Sequence, residues 1–236
     1  MGVLSDLAQK YDVDMYELGY LEHYEKRFDS IRNDVEKVLE IGVETGCSHR
    51  MWLEYFPNAR VYGFDIFNEE DRSGYCDTLR EKMNGNPYLE RSVLFKGDQQ
   101  DVIDLGRFLT MYGRDFDLII DDGGHTMRQM QVSLTMLLDA VKSGGYYVIE
   151  DLHSCSGQWK SLYGYEVIEK GDTLTSDIIN DIETKYYNIK ETKYINKRQM
   201  KNIHDSIVSC KLETGTKNYK DYIWPTMLSF MEKKWK

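Results

Sequence analysis

Short apolar runs of strand length recur along this chain, separated by longer amphipathic stretches, and few folds accept that pattern. Val38–Ile41, Val61–Asp65, Val93–Lys96, Leu118–Asp121 and Tyr146–Glu150 read as strands. Ser48–Tyr55, Gly74–Met83, Asp101–Met111 and Met127–Val141 read as the helices between them. Strands joined through helices must lie parallel, because a parallel pair needs a long crossover that packs back on the sheet. Ser143-Gly144-Gly145 supplies a turn into the fifth strand. Tyr187–Tyr194 and Ile207–Leu212 are candidates to close the sheet, one of them antiparallel, whereas Glu166–Lys201 reads as polar and rich in loops. The expected architecture is α/β and Rossmann-like, a mostly parallel seven-stranded sheet with helices on both faces.

No internal repeat or Pro/Gly-rich linker interrupts the 236 residues, so one domain is expected. It divides into an N-terminal helical segment (1–35), a ligand-binding core (36–152) and a C-terminal part (153–236) holding a lid and the closing strands. The first part carries Tyr11, Tyr16, Tyr20 and Tyr24; Tyr20 and Tyr24 share one helix face, which should pack on the core.

Charge narrows the partners. With 40 acidic and 30 basic side chains the net charge is -10, which disfavours a nucleic-acid backbone or an anionic membrane surface and favours a small or neutral substrate. Cys47, Cys76, Cys155 and Cys210 form no C-x-x-C pair, so neither a zinc site nor a redox motif is expected. The N-terminus resembles neither a signal peptide nor a myristoylation signal, and no apolar run approaches the roughly 18 residues that span a bilayer, so a cytoplasmic location is expected.

The chemistry concentrates where the strands end. Val38-Leu39-Glu40-Ile41-Gly42-Val43-Glu44-Thr45-Gly46 runs from a strand through a glycine turn toward a helix, where bare backbone can approach a ligand. It departs from G-x-G-x-x-G: Glu44 would face a pyrophosphate, which disfavours a nicotinamide dinucleotide. Asp65 ends the second strand, where such folds hydrogen-bond a ribose diol. After the third strand, Asp98 could accept from an adenine amino group and Gln99 contact its edge; a helix N-cap competes for Asp98.

Asp121-Asp122-Gly123-Gly124-His125 and Glu150-Asp151 end two strands that should open on the same sheet edge. Asp122, Glu150 and Asp151 converging there would repel one another unless a cation sat among them. Oxygen-only ligation suits a hard divalent ion such as Mg2+ or Mn2+. The competing roles are helix capping and pairing with Arg or Lys. His125, three residues past Asp122 on a Gly-Gly turn, could be a general base or a structural histidine.

The E-x-G-x-x-x-G turn resembles the first motif of class I methyltransferases. On that resemblance Glu40, Gly42, Gly46 and Ser48, with Asp65, Asp98, Gln99 and Asp121, are the expected contacts of S-adenosylmethionine. The chain more broadly resembles the metal-dependent O-methyltransferases that act on sugar hydroxyls, such as those methylating deoxysugars of macrolide antibiotics. The matching segments include Met51-Trp52, Tyr55-Phe56-Pro57-Asn58-Ala59, Gly63-Phe64-Asp65-Ile66, Gly97-Asp98-Gln99, Gly144-Gly145-Tyr146-Tyr147-Val148-Ile149-Glu150-Asp151-Leu152 and Ile203-His204-Asp205-Ser206-Ile207-Val208. The resemblance implies Mg2+ held by Asp122, Glu150 and Asp151, with His125 as the base for methylation of a deoxyhexose such as rhamnose. It leaves open a homo-oligomer, or a domain of a larger glycan-synthesising enzyme.

Two departures stand out: Gly124 replaces the family's serine in Asp-Asp-Gly-Ser-His, and Leu18 stands where the family's His-x-Tyr-x-x-x-Tyr-Glu has histidine. The alternatives are a catechol- or phenol-type O-methyltransferase and a non-catalytic nucleotide-binding scaffold. His153, Trp159 and Tyr163 are candidates for a lid or a sugar-stacking wall.

Overall fold

The computed structural model describes residues 2–67, 88–155, 171–219 and 222–234. Its strands are β1 (Lys37–Ile41), β2 (Arg60–Asp65), β3 (Ser92–Lys96), β4 (Phe116–Asp121), β5 (Val141–Ile149), β6 (Ile207–Tyr219) and β7 (Tyr222–Lys233). They form one sheet in the order β3-β2-β1-β4-β5-β7-β6. β1 to β5 pair in parallel, and β7 runs antiparallel to both β5 and β6. This is the class I methyltransferase fold.

All five expected strands form. Three helices precede β1: α1 (Val3–Tyr11), α2 (Met15–Leu18) and α3 (Leu21–Phe28). The later ones are α4 (Cys47–Tyr55), α5 (Val102–Tyr112), α6 (Met127–Leu137), α7 (Thr175–Glu183) and α8 (Lys197–Ser206). The helix expected over Gly74–Met83, and Trp159 and Tyr163, lie outside the described residues.

Several expectations are corrected. The Met127–Val141 helix stops at Leu137, and a 3-10 turn, Leu138–Ala140, follows it, because Val141 pairs with Phe116 as the first residue of β5. Ser143-Gly144-Gly145 lies inside β5: the register against β4 slips between Phe116 and Leu118, so the glycines serve an irregular strand instead of a turn. Glu166–Lys201 carries loop over residues 184–196 as expected, and also contains α7 and the start of α8.

Tyr187–Tyr194 is no strand. The buried Asp181 carboxylate takes the backbone N–H groups of Asn188 and Ile189 at 2.8 and 3.1 Å, and the Thr192 hydroxyl takes those of Tyr194 and Ile195. Donors that a ladder would need are thus spent on side chains. Its place in the sheet is filled by β7, whose Pro225 argues against a strand in sequence because proline brings no donor.

The sheet separates two cores. Leu39, Ile41, Ile119, Tyr147 and Ile149 face one, which includes Leu105 and Phe108 of α5, Leu134 of α6 and Ile178 of α7. Val38, Leu118, Ile120 and Val148 face the other, with Leu4 of α1, Tyr24 of α3 and Trp52 of α4. The alternation follows from the two-residue period of a strand, and burial on both faces explains the near-continuous apolar runs. Strand order reverses between β1 and β4, so a crevice opens outside their carboxyl ends. Among the described residues no helix is long and apolar enough to cross a membrane.

Candidate active site

The crevice is floored by the turn after β1. Gly42 has φ +85°, and a Cβ there would lie 2.0 Å from the Asp122 carbonyl oxygen. The Asp122 N–H donates to the Ile41 carbonyl at 3.0 Å, so the turn and the first expected metal acid are set against each other. Gly42→Ala should therefore destabilise the protein by at least about 1–2 kcal/mol from the left-handed backbone alone, before the clash with Asp122. A melting temperature equal to that of the parent chain would contradict the packing described.

Asp65 holds the same turn. One carboxylate oxygen accepts the Val43 and Glu44 N–H groups at 2.7 and 3.1 Å, and the other accepts the Phe67 N–H at 2.7 Å. With about four acceptor positions on a carboxylate, one stays available to a ligand hydroxyl. Gly46, at φ +75°, caps α4, and Ser48 lies half-buried in its first turn.

Other residues expected at the cofactor turn inward. Glu40 is buried and meets His49 Nδ1 at 2.8 Å, while His49 Nε2 lies 2.9 Å from the Ser92 hydroxyl. Asp121 is buried among donors: Gln99 Nε2 at 3.0 Å, the Tyr147 hydroxyl at 3.1 Å, and the Ser133 hydroxyl. Burial raises its pKa against those hydrogen bonds, which lower it. The Gln99 oxygen accepts the Gly124 N–H at 2.7 Å, so its amide braces the loop leading to His125. Asp98 accepts from the Gln100 N–H at 3.0 Å and is not the helix cap; Asp101 caps α5 through Ile103 N–H at 2.8 Å. Asp98 lines an open cavity of about 570 Å3 with Gln100, Asp101, Val102, Arg128, Val132 and Tyr194.

Asp122, Glu150, Asp151 and His125 gather at the crevice. His125 Nε2 is 3.7 Å from Asp122 Oδ1 and 3.8 Å from Asp151 Oδ2. One ligating atom from each of Asp122, His125 and Asp151 falls within 4.8 Å of the others, a grouping able to surround a cation. Glu150 lies buried beside it. Burial, then the neighbouring carboxylates, holds the pKa of Asp122 well above the usual range. Glu150 is raised likewise, by burial first, against a hydrogen bond from Tyr24 that lowers it. Among the described residues no Lys or Arg pairs with these three acids, and the following helix is capped by Thr126. Uncompensated negative charge with oxygen donors fits a hard divalent ion.

The backbone is arranged for this cluster. Glu44, His125 and Asp151 all adopt positive φ, at 43°, 57° and 50°, and all three stand on the crevice edge. Such conformations cost of order 1–3 kcal/mol each and gather at functional sites. At the departure from the family's Asp-Asp-Gly-Ser-His, a Cβ on Gly124 would lie 2.2 Å from Gln129 Nε2, in space used by the Thr126–Gln129 capping box.

Three participants were not legible as such in the sequence. Tyr20 donates to Asp151 Oδ1 at 2.6 Å, and Tyr24 to Glu150 Oε1 at 2.5 Å. Both pack on the core as expected, but their hydroxyls reach acids more than a hundred residues away. Asp14, beside α2, has its pKa raised by partial desolvation and then by the Asp151 and Glu44 carboxylates. His153 Nδ1 lies 4.0 Å from Asp151 Oδ1, with its pKa lowered by burial.

Sheet order, crevice and glycine turn are those of the class I methyltransferase fold, and residues 39–152 match the family model described as a methyltransferase domain. The chain is similar to proteins named as O-methyltransferases. It is 35% identical over 160 residues to mycinamicin VI 2''-O-methyltransferase of Micromonospora griseorubida, covering 63% of this chain and 36% of the relative. It is 34% identical over 160 residues to 8-demethyl-8-(2-methoxy-alpha-L-rhamnosyl)-tetracenomycin-C 3'-O-methyltransferase of Streptomyces olivaceus, covering 64% of this chain and 37% of the relative. The structure of MycE methyltransferase from the mycinamycin biosynthetic pathway, in complex with Mg, SAH and mycinamycin VI, superposes with a TM-score of 0.65 at 25% identity. That superposition covers 99% of this chain and 55% of MycE, so the chain spans about half of that relative's length.

Proposed function

We propose that this chain is an S-adenosylmethionine-dependent, divalent-cation-dependent O-methyltransferase acting on a hydroxyl of a sugar, a deoxyhexose such as rhamnose within a glycoside. The observation that carries the reading is the meeting of Asp122, Asp151 and His125, with Glu150 beside them, at the strand-order reversal. The Mg and SAH in the MycE complex support it, as do the rhamnosyl tetracenomycin relatives.

The residues that would hold the ion are Asp122, Asp151 and Glu150, and those that would hold the cofactor are Gly42, Gly46, Ser48, Asp65 and Asp98. Glu40, Gln99 and Asp121 support the turn and loop from inside. When bound, S-adenosylmethionine supplies a sulfonium methyl group for transfer to the acceptor oxygen, and the ion lowers the pKa of a hydroxyl beside it. His125 accepts the hydroxyl proton at Nε2, and the nearby Asp122 and Asp151 carboxylates stabilise the imidazolium that forms. Asp65 keeps the glycine turn fixed, so that the methyl donor and acceptor meet in one geometry. The acidic rim of Asp14 and Glu44 suits a cationic cofactor. The net charge of -10 supports a small-molecule glycoside acceptor over a nucleic acid or membrane surface.

A second reading is favoured by one measurement: the 4.8 Å grouping contains His125 and not Glu150. In that arrangement His125 Nε2 ligates the ion and cannot take the proton.

The reading is tested by titrating S-adenosylmethionine calorimetrically, then assaying methyl transfer to rhamnosides and catechols with Mg2+ or with chelator. Binding with Mg2+-dependent transfer to a rhamnoside is expected. Transfer to catechol alone would move the acceptor class, and absence of cofactor binding would favour a scaffold.

A further inference from the structure

Tyr20 and Tyr24 sit one helical turn apart, and each ends on a different acid of the candidate cation site. The Tyr24 ring is fully buried, packed 5.1 Å from Trp52 and 5.2 Å from Phe230, so its hydroxyl has one fixed position. It donates to Glu150 Oε1. Tyr20 is 1% exposed, and its hydroxyl accepts the Met227 N–H of β7 at 3.4 Å while donating to Asp151 Oδ1. A phenol has one proton, so the β7 contact leaves that proton for the carboxylate.

The consequence is a choice of oxygen. With Oδ1 of Asp151 held by Tyr20, it is Oδ2 that lies 3.8 Å from His125. With one acceptor position of Glu150 Oε1 taken by Tyr24, Oε2 is the oxygen freer to face a ligand. Acids this close repel one another and would otherwise rotate apart, and a hydrogen bond from a ring locked in the core opposes that.

We infer that Tyr20 and Tyr24 are positioning residues that fix which oxygens of Asp151 and Glu150 face the cation, so that the N-terminal helices set cation affinity. This rests on the proposed divalent-cation site and adds two residues that do not touch the ion. It also gives the segment before β1 a role in chemistry carried by β4 and β5.

The test is Mn2+ binding, followed by electron paramagnetic resonance of the free ion, in the full chain and in Tyr20→Phe, Tyr24→Phe, Asp122→Asn and Tyr146→Phe. Loss of an outer hydrogen-bond partner weakens metal affinity by about 10- to 100-fold, and each of Tyr20→Phe and Tyr24→Phe should show that loss. Tyr146→Phe, a half-buried tyrosine in the same core, should bind as the parent does. Parent-like Mn2+ affinity in both variants would overturn the inference while leaving the cation site standing. A parent chain that binds no Mn2+ would overturn both. A double variant, Tyr24→Phe with Glu150→Gln, guards against a general loosening of the fold. Its loss should be no greater than that of Glu150→Gln alone if Tyr24 acts through Glu150, and fully additive losses would refute that route.

Discussion

Asp122→Asn should abolish divalent-cation binding and methyl transfer, yet raise the melting temperature of the chelated protein at neutral pH. The two effects come from one cause. Asp122 faces Glu150 and Asp151 with no Lys or Arg partner among the described residues, so without an ion its charge is a net cost. Asparagine keeps the shape and removes the charge. With an ion present the same charge is what binds it, and losing a metal contribution of several kcal/mol lowers the rate by about a thousandfold or more.

The pH dependence follows from the sign. The folded pKa values of Asp122 and Glu150 lie above their unfolded ones, so folding takes up protons. Their contribution to stability is fully present below the usual carboxylate range and is lost as pH rises through the folded values. In chelator the parent chain should lose stability across that window, and Asp122→Asn should lose less. Differential scanning calorimetry at several pH values, with chelator and with Mn2+, reads both effects. A variant that melts lower than the parent in chelator at neutral pH would show that the acids are not held against their repulsion.

Which of the acids reach the crevice is a matter of strand parity. Asp121 and Asp122 are adjacent in the sequence, yet side chains alternate across a strand. Asp121 is the last residue of β4 and shares a face with Ile119, which directs it toward Gln99, Ser133 and Tyr147. Only Asp122 reaches the crevice. Glu150 and Asp151 escape the rule because β5 ends at Ile149 and Asp151 turns to φ +50°, so both can serve one site. Glu40 follows parity too: it shares a face with Val38, where α4 presents His49.

The parallel core was legible for the opposite reason. Its strands are buried on both faces and so read as apolar runs that no other element imitates at that length. Long-range partners leave no such mark. Tyr20 and Tyr24 showed a core-facing stripe and nothing of their acceptors, and the strand character of Tyr187–Tyr194 was overridden by the buried Asp181 carboxylate.

His125→Asn should lower kcat by about a hundred- to ten-thousandfold, the range for loss of a positioned general base, while S-adenosylmethionine binds as before. Asparagine is the informative replacement because it tolerates the left-handed backbone at φ 57°, where alanine would add strain of its own. The glycine turn proposed to hold the cofactor is fixed by Gly42 and Asp65 and does not pass through His125, so calorimetric binding should be unchanged. Mn2+ affinity then separates the two roles open to this imidazole. If Nε2 takes the acceptor's proton, the ion should bind the variant about as tightly as the parent, and the whole loss should fall on turnover. If Nε2 ligates, Mn2+ affinity and turnover should fall together, and the grouping of His125 with Asp122 and Asp151 would be a coordination sphere in which Glu150 has no direct part. Unchanged turnover in a variant that binds both cofactor and ion would remove His125 from the mechanism altogether.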